Sequence, residues 1–170
     1  TLITLFFYLL LHSSAIAQDI HCNMAKLPME QLIQQSNAIA HVRVLQENSF
    51  WNEKHSMIFT HYRLEVFQSL KGELSNELTL VVEGGRAQGM LLDYQDRIDM
   101  QPGAEFVAML SEIPKHWECD VLPEFAFAAY ASKQGIFEIN PTTGACSDVF
   151  KRYETFEELT RAIAKETRRR

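Results

Sequence analysis

This chain is short of cysteine, of positive charge and of long apolar runs, and each shortage narrows what it can be. Its 170 residues contain three cysteines, Cys22, Cys119 and Cys146, so at most one intrachain disulfide is available. Lys and Arg number 16 against 22 Asp and Glu, for a formal charge of -6. An acidic domain is a poor binder of polyanions, so no nucleic acid is expected as a partner. Catalytic signatures are missing as well: there is neither a Gly-x-Ser-x-Gly elbow nor a His-Glu-x-x-His helix. No enzymatic activity and no cofactor are expected. No internal repeat or low-complexity segment interrupts the chain. The apolar content of 46% and charged content of 22% are those of an ordinary globular domain.

The one sustained apolar run is Leu2 to Leu11. It is too short to span a bilayer, which takes about 20 residues. Small residues follow it, and Ala15-Ile16-Ala17 has the small-x-small form of a signal peptidase site, with polar Gln18-Asp19 immediately after. The expectation is an export signal over 1–17, cut after Ala17, with a basic n-region upstream of Thr1. The mature protein is then secreted or periplasmic, with no stable membrane anchor. Asp19-Ile20-His21 before Cys22 lacks the small apolar residues of a lipobox. In an oxidising compartment one disulfide is expected. Three pairings are open, and Cys119 with Cys146 is favoured because both flank the C-terminal strand region.

Past the signal, alternation dominates. A short helix is expected at Pro28 to Ser36, with Pro28 in the first turn and Glu30 at the positive end of the dipole. Ala40, Val42 and Val44 alternate with Ile39, His41, Arg43 and Leu45 as a strand with one small apolar face. A polar connection from Asn48 to Ser56 carries Trp51. Met57 to Leu70 reads as a long strand, with Ile58, Thr60, Tyr62, Leu64, Val66 and Gln68 on one side. Further strands are expected over Glu77 to Glu83, Glu105 to Leu110, Phe125 to Tyr130 and Gly135 to Ile139. Arg86 to Met100 is irregular. Tyr153 to Arg170 reads as a helix with Phe156, Leu159 and Ile163 on one stripe and a Thr155/Glu158 capping box. Short strands joined by turns, with a helix at each end, point to a mainly β fold, a small closed OB-like barrel. The expected division is 18–36 as an N-terminal segment, 37–150 as the barrel, and 151–170 as a C-terminal helix with the basic end Arg168-Arg169-Arg170.

Several pieces fall in a characteristic order: Ser36 to Val44, Trp51-Asn52-Glu53, Ile58-Phe59-Thr60, Val66 to Gly72, Val81 to Gly85, and Pro102 to Leu110. Over 36–139 the whole resembles a group of uncharacterised bacterial exported domains with an OB-like barrel. These are similar in architecture to the netrin-like domain of tissue inhibitors of metalloproteinases. The resemblance implies a five-stranded barrel and no assigned activity. Inhibitors of that type set an N-terminal cysteine on the protease zinc. Here cleavage leaves Gln18 first and no Cys-x-Cys follows, so that wedge is not carried over.

Weighing the remaining constellations gives one candidate surface. Gly84-Gly85-Arg86-Ala87-Gln88-Gly89 has no Lys-Ser/Thr and no following helix, so it does not cradle a phosphate. Asp93, Asp96 and Asp99 lack the spacing, the central glycine and the final glutamate of a calcium loop. His41, His55 and His61, with Glu53, are candidate zinc ligands, since His41 and His61 lie on the polar faces of neighbouring strands. Exposed cross-strand pairs are the commoner outcome, and no metal is expected. What remains is a long loop on a rigid barrel, the usual seat of binding. The expected function is an interaction domain that binds a protein partner through Arg86, Asp93, Tyr94, Asp96 and Arg97 on the 84–102 loop and Trp51 on the adjoining hairpin. A protease inhibitor of netrin-like architecture is the alternative, and a metal-dependent enzyme a second.

Overall fold

Why the alternating segments become a ring is visible in how β1 (Ala38–Trp51) is paired. In the computed structural model, which describes residues 24–94 and 96–168, the first half of β1 is hydrogen-bonded on both edges. One edge pairs with β2 (Ile58–Lys71) and the other with β6 (Glu105–Ser111), both antiparallel. Three register shifts on β1, between Ile39 and Gln46, bend it, as bulges do by adding local twist. β2 continues to β3 (Glu77–Glu83), and β3 pairs in parallel with β7 (Ala126–Ala129). β7 returns to β6 at Leu110 and Ser111. The order β1-β2-β3-β7-β6, closed by β1–β6, is a ring of five strands within a mainly β sheet.

Period-two alternation decides what the ring encloses. Ala38, Ala40, Val42 and Val44 of β1 point inward with Tyr62 and Leu64 of β2, Leu78, Leu80 and Val82 of β3, and Phe106, Ala108 and Leu110 of β6. Ile98 and Met100 plug one end of this interior, and the Tyr62 hydroxyl accepts from the Met100 N–H at 3.4 Å. Beyond the ring, β8 (Ile136–Ile139) shares the β7 edge of β6 and carries β9 (Cys146–Ser147).

Two helices cover the outer face of β1 and β6. α1 (Met29–Gln35) buries Leu32 and Ile33, and α2 (Phe156–Thr167) buries Leu159 and Ile163. Together with Ile39, Val107, Met109 and Phe137 they form a second, dry cluster. Lys71, at the end of β2, donates from Nζ to the carbonyls of Ile33 (2.7 Å), Gln34 (3.2 Å) and Ser36, so a strand residue caps the α1 C-terminus. At α2 the Thr155 hydroxyl accepts from the Glu158 N–H at 3.2 Å, while the Glu158 carboxylate turns to the Glu154 N–H at 3.3 Å. The capping box is thus half formed, with its return bond shifted by one residue.

Three sequence expectations are corrected. No disulfide joins Cys119 to Cys146: both are free and buried, Cys146 in the helix-covered cluster and Cys119 in a third cluster with Phe59 and Val81. The polar stretch from Asn48 is strand as far as Trp51, so the β1–β2 connection is only 52–57. The irregular loop contains a small hairpin, β4 (Gly85–Ala87) with β5 (Met90–Leu92). The expected signal segment 1–17, Cys22, Arg169 and Arg170 lie outside the described residues. Among the described residues no helix is long and apolar enough to cross a membrane.

Candidate functional site

One end of the ring is left partly open, and the chain's own topology opens it. The β3–β7 ladder stops at Val81 and Ala128, so Val82 and Glu83 run on beyond the last paired residue of β3 and β7. Two irregular segments wall the gap: the loop 93–100 and the strap 112–121, which crosses the outer faces of β2 and β3. Both are tied down. Ser132 donates from Oγ to the Asp96 carbonyl at 3.2 Å, and Ala131 and Ser132 sit consecutively at φ 59° and 56°, a left-handed pair that only surrounding structure sustains. Asn52, 2% exposed, organises the hairpin side. Its Oδ1 accepts from the N–H groups of Ser56 and Met57, and its Nδ2 donates to the Glu118 carbonyl at 3.3 Å. Asp120 accepts from the Glu53 N–H at 2.7 Å, and Lys54 pairs with Glu118 at 2.8 Å.

The result is a groove of two adjoining cavities. One, about 220 Å³, is lined by Val81, Glu83, Tyr94, Arg97, Ile98 and Trp117 among others. The second, about 190 Å³, shares Glu83 and Trp117 and adds Met57, Phe59, Asn52 and His116. The Trp117 ring packs on Phe59 with centroids 5.8 Å apart, and the Tyr94 hydroxyl donates to the Met57 sulfur at 3.0 Å. Glu83 is the charged group both cavities share. Burial pushes its carboxyl up from the ordinary value, with His116 pulling the other way. Among the described residues no hydrogen bond or ion pair engages that carboxylate.

The residues expected to bind are brought to this end in different roles. Arg97 is mostly covered: it bonds Asp93 and Asp99 at 3.0 Å each. A side chain at Gly84 would meet Arg97 Cδ at 2.9 Å. Arg97 therefore holds the loop together rather than presenting itself. Asp93 is its partner, and the Asp96 carbonyl accepts from Ser132. Arg86 is exposed on β4. Trp51 stacks on His55 at the hairpin, with centroids 6.1 Å apart. Three exposed apolar groups stand on this loop: Tyr94, named from the sequence, is 41% exposed, and Met90 at 60% and Leu91 at 48% are ones the sequence reading passed over. Glu83 and Trp117 were also missed as a pair. Glu83 follows Val81 on the outward face of β3, and nothing in the sequence says that a strap thirty-odd residues later crosses that face.

Chemistry of other kinds finds little footing. His41 pairs with Gln68 in the β1–β2 register and His61 with Asn48, seven positions on from His41, about 23 Å at roughly 3.3 Å per residue. They do not converge, and among the described residues no three ligating side chains gather. His61 instead lies 3.9 Å from the Cys119 sulfur and packs on Phe50. Burial raises the Cys119 thiol and lowers the His61 imidazole. Both shifts favour the neutral pair, the opposite of what an activated thiolate needs. Comparison with protein-family models, with curated protein sequences and with solved structures returns no match.

Proposed function

We propose that this protein is an exported interaction domain: an OB-like barrel that binds a protein partner through the ridge formed by the β4–β5 hairpin, Tyr94 and the Trp51 hairpin. The observation that carries it is a cluster of exposed apolar side chains, Met90, Leu91 and Tyr94, on a loop anchored from beneath by Arg97 and Ser132. An apolar group held out on a fixed loop costs little ordering entropy when a partner covers it. Such exposure in a water-soluble chain marks contact surfaces.

The ring topology supports the same end of the molecule. In an OB barrel, ligands meet the face of the second and third strands, between the loop joining strands one and two and the loop joining strands four and five. The corresponding parts here are the outer faces of β2 and β3, the Trp51 hairpin and the 112–125 connection from β6 to β7. Those are the walls of the groove. This is an argument by analogy of fold, and it gives position, not partner. Export rests on the 1–17 segment, which the sequence alone supports.

The test is affinity capture from the host's exported proteins, comparing the chain with a variant carrying Met90→Ser, Leu91→Ser and Tyr94→Ala. Expected is a stoichiometric partner kept by the parent and lost by the variant, at an unchanged melting temperature. Equal capture by both would remove the ridge as the interface. A protease as the captured partner would turn the reading toward inhibition.

A further inference from the structure

The groove beneath the ridge has a chemistry of its own, and it is one-sided. Of the basic groups at this end, Arg97 is matched by Asp93 and Asp99 and Lys54 on the neighbouring hairpin by Glu118, while the exposed His116 lies on the cavity wall with Glu83. Glu83 is left as a half-buried carboxylate with no hydrogen bond or ion pair among the described residues, the one basic group that acts on it being the exposed His116, and it lines a cavity with the indole of Trp117 and the apolar side chains of Phe59 and Met57. A carboxylate removed from water and unpaired is a cost to the folded protein. A ligand cation with an apolar stem recovers that cost, meeting charge at Glu83 and aromatic faces alongside. The protein's net charge of -6 favours approach of a positive partner as well.

Size selects among cations. Sites that enclose whole small molecules run to about 300–1,000 Å³, whereas the space here is divided into two cavities, about 220 Å³ and about 190 Å³, that meet at Glu83 and Trp117. A single long side chain entering from outside suits such a space, with the rest of its chain lying on the exposed ridge above. We infer that the groove at Glu83 and Trp117 is an anchor pocket for one lysine or arginine side chain of a basic, extended segment in the protein partner. This deepens the partner-binding reading and rests on it.

The probe is a displayed library of random peptides, selected against the full chain. The expected outcome is enrichment of sequences with Lys or Arg at one fixed position among apolar residues. Binding of the best peptide should shift the Trp117 indole N–H and the Glu83 amide in NMR spectra. Glu83→Gln should weaken it about ten- to a hundredfold, the worth of one charge-assisted contact, and changing the fixed basic residue to norleucine should do the same. Enriched peptides with no basic preference, whose binding is lost in the Met90→Ser, Leu91→Ser, Tyr94→Ala variant, would overturn the anchor pocket while leaving the ridge. A basic peptide sensitive to Glu83→Gln but indifferent to the ridge variant would keep the pocket and overturn the ridge. No enrichment of any peptide would overturn both. Spermidine displacing the peptide at comparable concentration would mean that the pocket takes a free organic cation, and the peptide assignment would fall.

Discussion

The outer surface of the ring is covered twice, by different means. Over β1 and β6 the cover is helical: α1 and α2 lay Leu32, Ile33, Leu159 and Ile163 onto Ile39, Val107 and Met109, all essentially without solvent contact. Over β2 and β3 the cover is the irregular strap 112–121, with Ile113, Trp117 and Cys119 on Phe59 and Val81. A helix satisfies its own backbone and offers a continuous apolar stripe, so it seals. A strap depends on side-chain ties, Asn52 donating to the Glu118 carbonyl and Asp120 accepting from the Glu53 N–H, and leaves gaps between its contacts. The groove, the unpaired Glu83 and the exposed apolar ridge all lie on that loosely covered side. The same ring is thus closely covered on one part of its outer surface and loosely on the other.

The largest expected effect lies on the sealed side. Arg152 and Asp148 form an ion pair at 3.0 Å with side chains only 6% and 0% exposed, and Arg152 also donates to Gln134 at 3.0 Å. Gln134 in turn holds the backbone of Ala25 and Leu27. Arg152→Met strands a buried carboxylate and is expected to cost about 3–5 kcal/mol in denaturant unfolding. A loss under 1 kcal/mol would mean that water reaches Asp148.

The contrast between the two covers is tested directly by truncation. Leu159→Ala should cost about 2–5 kcal/mol. Trp117→Ala, removing a larger but only partly buried side chain, should cost about 1–2 kcal/mol and abolish binding of the selected peptide. Should Trp117→Ala prove the more damaging to stability, the strap is a sealed core and not an open one.

Cys119 and Cys146 sit in separate clusters, so their truncations to Ala should be independent. A double-mutant cycle should give a coupling within about 0.5 kcal/mol of zero. A disulfide between them would contribute roughly 2–4 kcal/mol of shared stabilisation.

The smallest effects are in pH dependence, and the two faces carry opposite signs. Burial raises the Glu83 carboxyl above 4.5. The stability it lends is complete below about pH 4.5 and is lost as pH rises through the folded-state value. Glu83→Gln should therefore be more stable than the parent at neutral pH and lose that advantage on acidification. His41, between Phe67 and Phe156, is lowered below 6.5 by burial against the upward pull of Glu105. Its contribution is present above pH 6.5 and is lost as pH falls through the folded value. His41→Phe should flatten that acid loss. Superimposable pH profiles for parent and variant would refute the corresponding assignment.

Alternation made most of the strands legible. Ala40, Val42 and Val44, and Ile58 through Leu64, declare an inward face because period two permits no other way of hiding them, and the α2 stripe is equally plain. Of the proposed site, Tyr94 and Trp51 were named from the sequence, but the β4–β5 hairpin was not, because a three-residue ladder leaves too short a pattern to read. Arg97, by contrast, reads as an exposed charge until its two aspartates and Gly84 are seen around it. The sequence by itself determined the long strands, their inward faces, the flanking helices and the acidic balance, all of which follow from local pattern and composition. Only the tertiary structure decided that Lys71 caps a helix, that Cys119 and Cys146 never meet, and that Glu83 stands beside Trp117. Each of these depends on which distant segment crosses which face, and that choice is made by ring closure and packing rather than by any residue's immediate neighbours.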